Sequence, residues 1–159
     1  MTIAAPLSEV FRFFEDPRNL ERITPGWLNF RILDPDRLVM RKGEQIEYII
    51  RWMGVPLRWT TRIAAYEPPQ MFVDEQIRGP YRLWHHTHTF RETPEGVVIG
   101  DRVDYRLPLG ILGRIAHAVL VRAQLRAIFR FRQAAISGAL AAESSFGEVT
   151  ISKAEFPGR

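Results

Sequence analysis

Residues 120–140 read LVRAQLRAIFRFRQAAISGAL and form the most regular part of a helical pattern that covers 111–140. At about 100° per residue, the apolar side chains of this stretch share one broad arc of the predicted helix. The arc contains Leu120, Val121, Leu125, Ala127, Ile128, Phe129, Phe131, Ala134, Ala135, Ile136 and Ala139. The polar remainder contains Arg122, Arg126, Arg130, Gln133 and Ser137. Because a helix on a flat sheet needs a stripe of only about 100°, we expect a curved partner that holds this helix on several sides.

The partner is predicted upstream, where the hydrophobic pattern changes to a period of two. Strand patterns cover 45–52, 57–66, 72–77, 82–92 and 97–107. The turns between them are short and rich in Pro and Gly, which favours an antiparallel meander. Two short helices are predicted before the meander, because Pro6 fits a first helical turn and Asp16 followed by Pro17 fits a second helix start.

The composition is typical of one globular domain, with 159 residues of which 46% are hydrophobic. The net charge of +4 comes from scattered Arg residues rather than a basic block, so no nucleic-acid partner is predicted. The sequence has neither an apolar run of about 18 residues nor a charged and then apolar leader, and cytoplasm is the expected location. The absence of Cys excludes disulfides and thiolate chemistry.

The domain is predicted to cover 1–141, because the helical pattern ends there. Two alternatives remain for 142–159. The segment is either a disordered tail or, through 148–152, a strand added to an open edge of the sheet.

One strand carries aromatic and His residues at alternate positions, which share a face. These residues are Trp84, His86, His88 and Phe90. If the turn at 93–96 closes a hairpin in its simplest register, His88 lies opposite Asp101, and Trp84 lies opposite Tyr105. This face is mostly apolar and is therefore predicted to point inward.

The facing pair of His88 and Asp101 has three alternative roles. The first is a purely structural role, in which the pair fixes the strand register. The second is to anchor a carbonyl or hydroxyl of a ligand, and the third is to act as a general acid or base. A metal site is not predicted, because only Asp101 or Glu75 is available as a third ligand beside the two His residues. No cofactor is predicted.

Two further charged features have open alternatives. Arg132 lies within the apolar arc, where it can reach Asp101 or Glu75, bind an acidic head group, or lie along apolar surface with its guanidinium in water. The two-proline turn before Glu75 allows either strand register, so only one of Asp74 and Glu75 should face inward. The ridge of Arg122, Arg126 and Arg130 is either a solvated face or a surface for transient contact with anionic lipid.

The order of elements resembles the helix-grip fold of the START-like, or SRPBCC, superfamily, which includes polyketide cyclase/dehydrase proteins. The resemblance covers about 3–140 and is closest to a bacterial ligand-binding branch. It rests on Ile3-Ala4-Ala5-Pro6, Asp16-Pro17-Xaa-Asn19-Leu20, Phe72-Val73-Asp74-Glu75-Gln76, Gly79-Pro80-Tyr81, Trp84-Xaa-His86-Xaa-His88-Xaa-Phe90 and Asp101-Xaa-Val103-Xaa-Tyr105.

The resemblance implies an α+β fold. A curved antiparallel sheet of about six to seven strands wraps around a long C-terminal helix, two short helices lie near the N-terminus, and a hydrophobic cavity lies between sheet and helix. Members usually begin with a full strand, but only Met1 and Thr2 precede Ile3 here. We therefore expect an open sheet edge that pairs with 148–152 or with a second copy in a homodimer.

The function that the resemblance implies is binding, transport or sensing of a small hydrophobic or lipid-like ligand. The expected polar contacts are His86, His88, Asp101, Tyr105, Glu75 and Arg132. The expected apolar walls are Trp84, Phe90, Ile128 and Phe129. The alternatives are a cyclase/dehydratase-like enzyme that uses His88 and Asp101, and a structural domain with a filled core.

Overall fold

The computed structural model describes residues 1–52, 54–108 and 120–140, together with the backbone of 144–145 and 150–153. The first part of the predicted long helix, 111–119, lies outside the described residues. The helices are α1 (Leu7–Glu15), α2 (Asn19–Arg22) and α3 (Arg122–Ala139), with 3-10 turns at Gly26–Leu28 and Pro35–Arg37. None of the described helices is long and apolar enough to cross a membrane.

Within the described residues, nine strands form one sheet. They are β1 (Thr2–Ile3), β2 (Arg31–Ile32), β3 (Gln45–Trp52), β4 (Val55–Glu67), β5 (Met71–Arg78), β6 (Leu83–Thr93), β7 (Gly96–Arg106), β8 (Ser144–Ser145) and β9 (Thr150–Lys153). The order is β2-β3-β4-β5-β6-β7-β1-β8, and β9 pairs with β7 in parallel. The antiparallel meander, the long C-terminal helix and the short N-terminal helices confirm the predicted helix-grip fold.

The β6–β7 hairpin has the predicted register. Trp84 lies opposite Tyr105, and His88 lies opposite Asp101. Gly96 closes the turn with φ of 123°, and a Cβ at this position would lie 2.2 Å from the carbonyl oxygen of Ile3. The hairpin turn therefore packs directly against β1, and only glycine fits there without displacing it.

The N-terminal edge of the sheet is paired with strands of the C-terminal tail. β1 pairs with β7 on one side and with β8 on the other. β9 pairs with Arg102–Tyr105 of β7. It overlaps 148–152, the segment that the sequence offered as an added edge strand. β9 therefore pairs with the part of β7 that the two-residue strand β1 does not cover.

The two N-terminal helices begin where the local sequence predicts. Pro6 precedes α1, whose Val10, Phe11 and Phe14 are buried. Asp16 accepts a hydrogen bond at Oδ1 from the backbone N–H of Arg18 at 3.0 Å and so satisfies a donor ahead of α2.

The helix α3 joins two apolar clusters. Its C-terminal part places Ile136 in a core formed with α1, β1 and the sheet. Its N-terminal part places Leu125 and Phe129 in a second cluster, together with Val103 and Tyr105 of β7. The helix is therefore anchored at both ends.

The prediction that α3 is held on several sides is wrong for the described residues. Its buried residues lie on one face and are Val121, Leu125, Phe129, Gln133 and Ile136. Leu120 and Phe131 belong to the predicted apolar arc but are 50% and 43% exposed. Gln133 lies on the predicted polar side of the helix but is buried. The broad arc was misleading because several of its members are Ala, which favours helix formation without needing burial.

The one-sided burial of α3 predicts unequal effects of two truncations on this helix. Ile136→Ala should lower the free energy of unfolding by about 2–5 kcal/mol, because it removes buried methyl groups and creates a cavity in the core. Phe131→Ala removes a larger side chain, but it should cost less than about 1 kcal/mol because the ring is exposed. Urea denaturation of both variants measures the difference, and equal losses would contradict the described packing.

Candidate functional site

A cavity of about 380 Å3 lies between the sheet and α3. Residues from α1, α2, β3 to β6 and α3 contribute to its wall, which is mostly apolar. The aromatic part of the wall consists of Phe13, Phe14, Phe30, Tyr48, Trp52, Trp59, Phe72, Tyr81, Trp84 and Phe129. Rigid aromatic walls with few polar groups are typical of small-molecule sites.

A polar cluster is built into this wall by three adjacent strands. In the β5–β6 ladder Asp74 lies opposite His86, and in the β6–β7 ladder His88 lies opposite Asp101. Alternate residues of a strand share a face, so all four side chains meet on the inner side. The two imidazole rings lie 3.8 Å apart, centroid to centroid. We call Asp74, His86, His88 and Asp101 the His/Asp cluster.

Each imidazole of the His/Asp cluster lies between the two carboxylates. Asp101 Oδ1 is 3.0 Å from His86 Nε2 and 2.9 Å from His88 Nδ1. Asp74 Oδ2 is 3.3 Å from His86 Nδ1 and 3.3 Å from His88 Nε2. The contact between His88 Nδ1 and Asp101 has an ion-pair distance but not the alignment of a hydrogen bond. The predicted pair of His88 and Asp101 is therefore one edge of a four-residue cluster.

The charges of the His/Asp cluster stabilise each other. Burial by itself raises the pKa of Asp101, but the close contacts with His86 and His88 and the charges of both rings hold this pKa well below its ordinary value. Burial likewise raises the pKa of Asp74, but the nearby imidazoles lower it below its ordinary value. The charge of His86 contributes most to this lowering. For His86, burial works against a charged ring, but the carboxylates of Asp74 and Asp101 raise its pKa. Both carboxylates are therefore ionised at neutral pH.

The predicted involvement of Glu75 is wrong. Its carboxylate binds Arg62 at 3.0 Å in an exposed ion pair, and Asp74 occupies the inward position instead. The register of β5 could not be read from the sequence because the β4–β5 ladder contains two register shifts, near Thr60 and Ile63. Such irregularities change which of two neighbouring residues faces inward.

The other predicted site residues fall into two groups. The first group lines the cavity and contains Trp84, His86, His88, Ile128, Phe129 and Arg132. The second group packs behind the wall and contains Phe90, Asp101 and Tyr105. Phe90 packs against Phe14 with ring centroids 4.9 Å apart, and Tyr105 packs against Tyr81 at 5.6 Å. The expectation that Phe90 and Tyr105 contact a ligand is therefore corrected to a supporting position in the core.

Arg132 brings a positive charge to the cavity wall. Its guanidinium carbon lies 5.3 Å from the ring centroid of Phe129. Among the described ion pairs, none joins Arg132 to Asp101 or Glu75, the two partners considered from the sequence. Its Nε is buried and has no hydrogen-bond partner among the described residues. Trp59 also lines the cavity, and its Nε1 is likewise buried without a hydrogen-bond partner among the described residues.

A hydrogen bond between two side chains connects the sheet with α3 across the cavity wall. Trp52 Nε1 donates to Gln124 Oε1 at 2.7 Å, and both residues line the cavity. The sequence does not indicate this pair, because the two residues are 72 positions apart.

The buried charges predict a large stability difference between two carboxylate truncations. Asp101→Ala should lower the free energy of unfolding by about 3–5 kcal/mol, because it removes the partner of two buried imidazoles. Glu75→Ala should cost less than about 1 kcal/mol, because its ion pair with Arg62 is exposed. Urea denaturation at neutral pH measures both values. A small loss for Asp101→Ala would show that the cluster contributes little to folding.

Comparisons with known proteins agree with this fold. The family of "Polyketide cyclase / dehydrase and lipid transport" proteins matches residues 3–132. A comparison with curated protein sequences gives no significant match.

Several solved bacterial structures resemble the chain. A protein from Chromobacterium violaceum has a TM-score of 0.67 at 14% identity, over 90% of this chain and 95% of that one. A protein from Arthrobacter aurescens has a TM-score of 0.66 at 15% identity, over 89% and 83%. A protein from Thermus thermophilus has a TM-score of 0.58 at 17% identity, over 88% and 90%. Identities this low show a shared fold only.

With its family match over most of its length, the chain belongs to the polyketide cyclase/dehydrase and lipid transport family of the START-like, or SRPBCC, superfamily.

Proposed function

We propose that this protein binds a small amphiphilic ligand in the cavity between the sheet and α3. The observation that carries the proposal is an apolar cavity of about 380 Å3 whose wall includes buried, unsatisfied donors. This volume lies within the range of roughly 300–1,000 Å3 that is usual for small-molecule sites. It also argues against the alternative of a filled core.

The polar atoms of the wall indicate which end of the ligand is polar. The Nε of Arg132 and the Nε1 of Trp59 are donors without partners. A buried donor left without a hydrogen bond costs about 1–3 kcal/mol. A ligand oxygen would offset this cost, and a carboxylate would in addition pair with the positive charge of Arg132. We therefore infer a hydrophobic ligand with an acidic or carbonyl group.

Family membership supports ligand binding in general, because the family description joins lipid transport with polyketide chemistry. The His/Asp cluster favours the second candidate, a cyclase/dehydratase-like enzyme. Buried imidazoles and carboxylates that line a cavity can carry protons to and from a substrate.

Contacts with larger partners remain predictions. Arg122, Arg126 and Arg130 are exposed on α3 and could meet anionic lipid while a ligand is delivered. A homodimer through a sheet edge and a cytoplasmic location are also expectations of the sequence.

The first experiment is native mass spectrometry of the purified protein, followed by denaturing extraction. We expect a stoichiometric small mass that disappears on extraction, or thermal stabilisation by fatty acids, quinones, sterols or polyketides. The absence of both a bound mass and any stabilisation would contradict the proposal.

The role of Arg132 is tested by Arg132→Gln. Affinity for an acidic amphiphile should fall about 10- to 100-fold, as expected for a lost charged hydrogen bond of about 1.5–3 kcal/mol. Arg130→Gln is the matched control, because Arg130 lies on the same helix but is exposed. Displacement of a fluorescent fatty acid measures both variants. An equal loss in the two variants would assign the effect to the general charge of the helix.

The enzyme alternative predicts a different result for His88→Gln. If the protein is a catalyst, the wild type converts the extracted ligand to a product of different mass, and the variant binds the ligand without converting it. If the protein is a carrier, the ligand is recovered unchanged from both.

A further inference from the structure

Three members of the His/Asp cluster have the composition and spacing of a metal site. One ligand atom from each of Asp74, His86 and His88 lies within 4.8 Å of the other two. All three residues line the cavity, whereas Asp101 does not. We propose that Asp74, His86 and His88 bind a divalent first-row transition-metal ion, and that Asp101 orients the two imidazoles from behind.

The distances within the cluster agree with this assignment. Asp74 Oδ2 is 3.3 Å from His86 Nδ1 and 3.3 Å from His88 Nε2. In a tetrahedral zinc site with bonds of about 2.0–2.1 Å, neighbouring ligand atoms are separated by about 3.3–3.4 Å. Two imidazole nitrogens and one carboxylate oxygen are also the donor set of many zinc and non-haem iron sites that keep a coordination position open.

Asp101 contacts both proposed imidazole ligands on the side away from the proposed ion. Metal-binding imidazoles usually donate their second N–H to a carboxylate, which fixes the tautomer and the ring orientation. Here His86 directs Nδ1 towards Asp74 and Nε2 towards Asp101, and His88 directs Nε2 towards Asp74 and Nδ1 towards Asp101. Only His86 makes an aligned hydrogen bond with Asp101, at 3.0 Å, whereas His88 Nδ1 lies 2.9 Å from Asp101 at an ion-pair distance. In both rings one nitrogen faces the proposed ion and the other faces the supporting carboxylate.

The charge of the cluster also fits a divalent cation. Asp74 and Asp101 place two negative charges in a largely buried region, with side chains 18% and 9% exposed. Among the described residues, neither carboxylate has an Arg or Lys partner within 4.0 Å. One divalent ion balances both charges at a single point.

The open coordination position would face the cavity, because the three proposed ligands line it. The ion would then bind a water molecule or an oxygen of the cavity ligand. This inference differs from the sequence-based expectation of no metal, which considered only Asp101 and Glu75 as a third ligand and did not place Asp74. It goes beyond the proposed function and does not depend on it.

The test uses untagged protein that has been treated with a chelator, returned to chelator-free buffer and checked for its fold by circular dichroism. Zinc is added, and bound zinc is counted by mass spectrometry of the metal after gel filtration. We expect one zinc per chain. Isothermal titration should show that Asp74→Asn and Asp101→Asn weaken zinc binding by about 10- to 100-fold or more. Glu75→Gln is the matched control, because it changes the neighbouring carboxylate on the outer face and should leave the affinity unchanged.

Cobalt gives a second readout, since its visible absorption reports the ligand geometry. The wild type and Glu75→Gln should show the same cobalt bands, and Asp74→Asn should lose them. Folded wild-type protein that takes up no stoichiometric zinc would overturn the proposal without the need for any variant. Zinc binding that persists in Asp74→Asn and is lost in His85→Gln would also overturn it, because it would place the ion outside the cavity.

The failure of this proposal and the failure of the proposed function can be told apart. Chelator-treated protein that binds a fatty acid but no zinc overturns only the metal site. Protein that binds zinc but none of the amphiphiles overturns only the function.

Discussion

Two largely buried carboxylates, Asp74 in the wall of an apolar cavity and Asp101 behind it, are the constraint on which the rest of this structure depends. His86 and His88 lie between Asp74 and Asp101 and stabilise the charges of both carboxylates. This arrangement requires one register across β5, β6 and β7. A slip of one residue would turn the cluster outward and move Glu75 and His85 into the cavity. The same contacts that stabilise the charges therefore also specify the sheet.

The cavity lies between the sheet and the part of α3 that ends at Arg132, and α3 faces it with its buried side. Ile136 anchors one end of the helix in the first core, and Leu125 and Phe129 anchor the other end beside β7. Aromatic side chains, Phe129 among them, form much of the cavity wall, and Arg132 contributes a buried donor. The opposite face of α3 remains exposed, so the helix serves as one wall of the site and not as its enclosed centre.

The sequence is informative where strand pairing is local. The alternation from Trp84 to Phe90 and the short turn at 93–96 are sufficient to place His88 opposite Asp101. The choice between Asp74 and Glu75 depends on irregular pairing between β4 and β5, for which the two-proline turn gives no register. The buried face of α3 was overestimated because Ala and exposed Phe131 resemble core residues in a helical projection. The cavity itself depends on side chains from several elements that are distant in the chain, and no local pattern encodes its volume.

The central claim is that the His/Asp cluster acts as one unit, and a double-mutant cycle tests it most directly. The free energy of unfolding is measured by urea denaturation for the wild type, Asp74→Asn, Asp101→Asn and the double variant, in chelator-treated protein without added metal. Because both carboxylates contact the same two imidazoles, we expect a coupling energy of about 0.5–3 kcal/mol. Losses that add to within about 0.3 kcal/mol would contradict the account, since they would mean that the two carboxylates stabilise the protein independently.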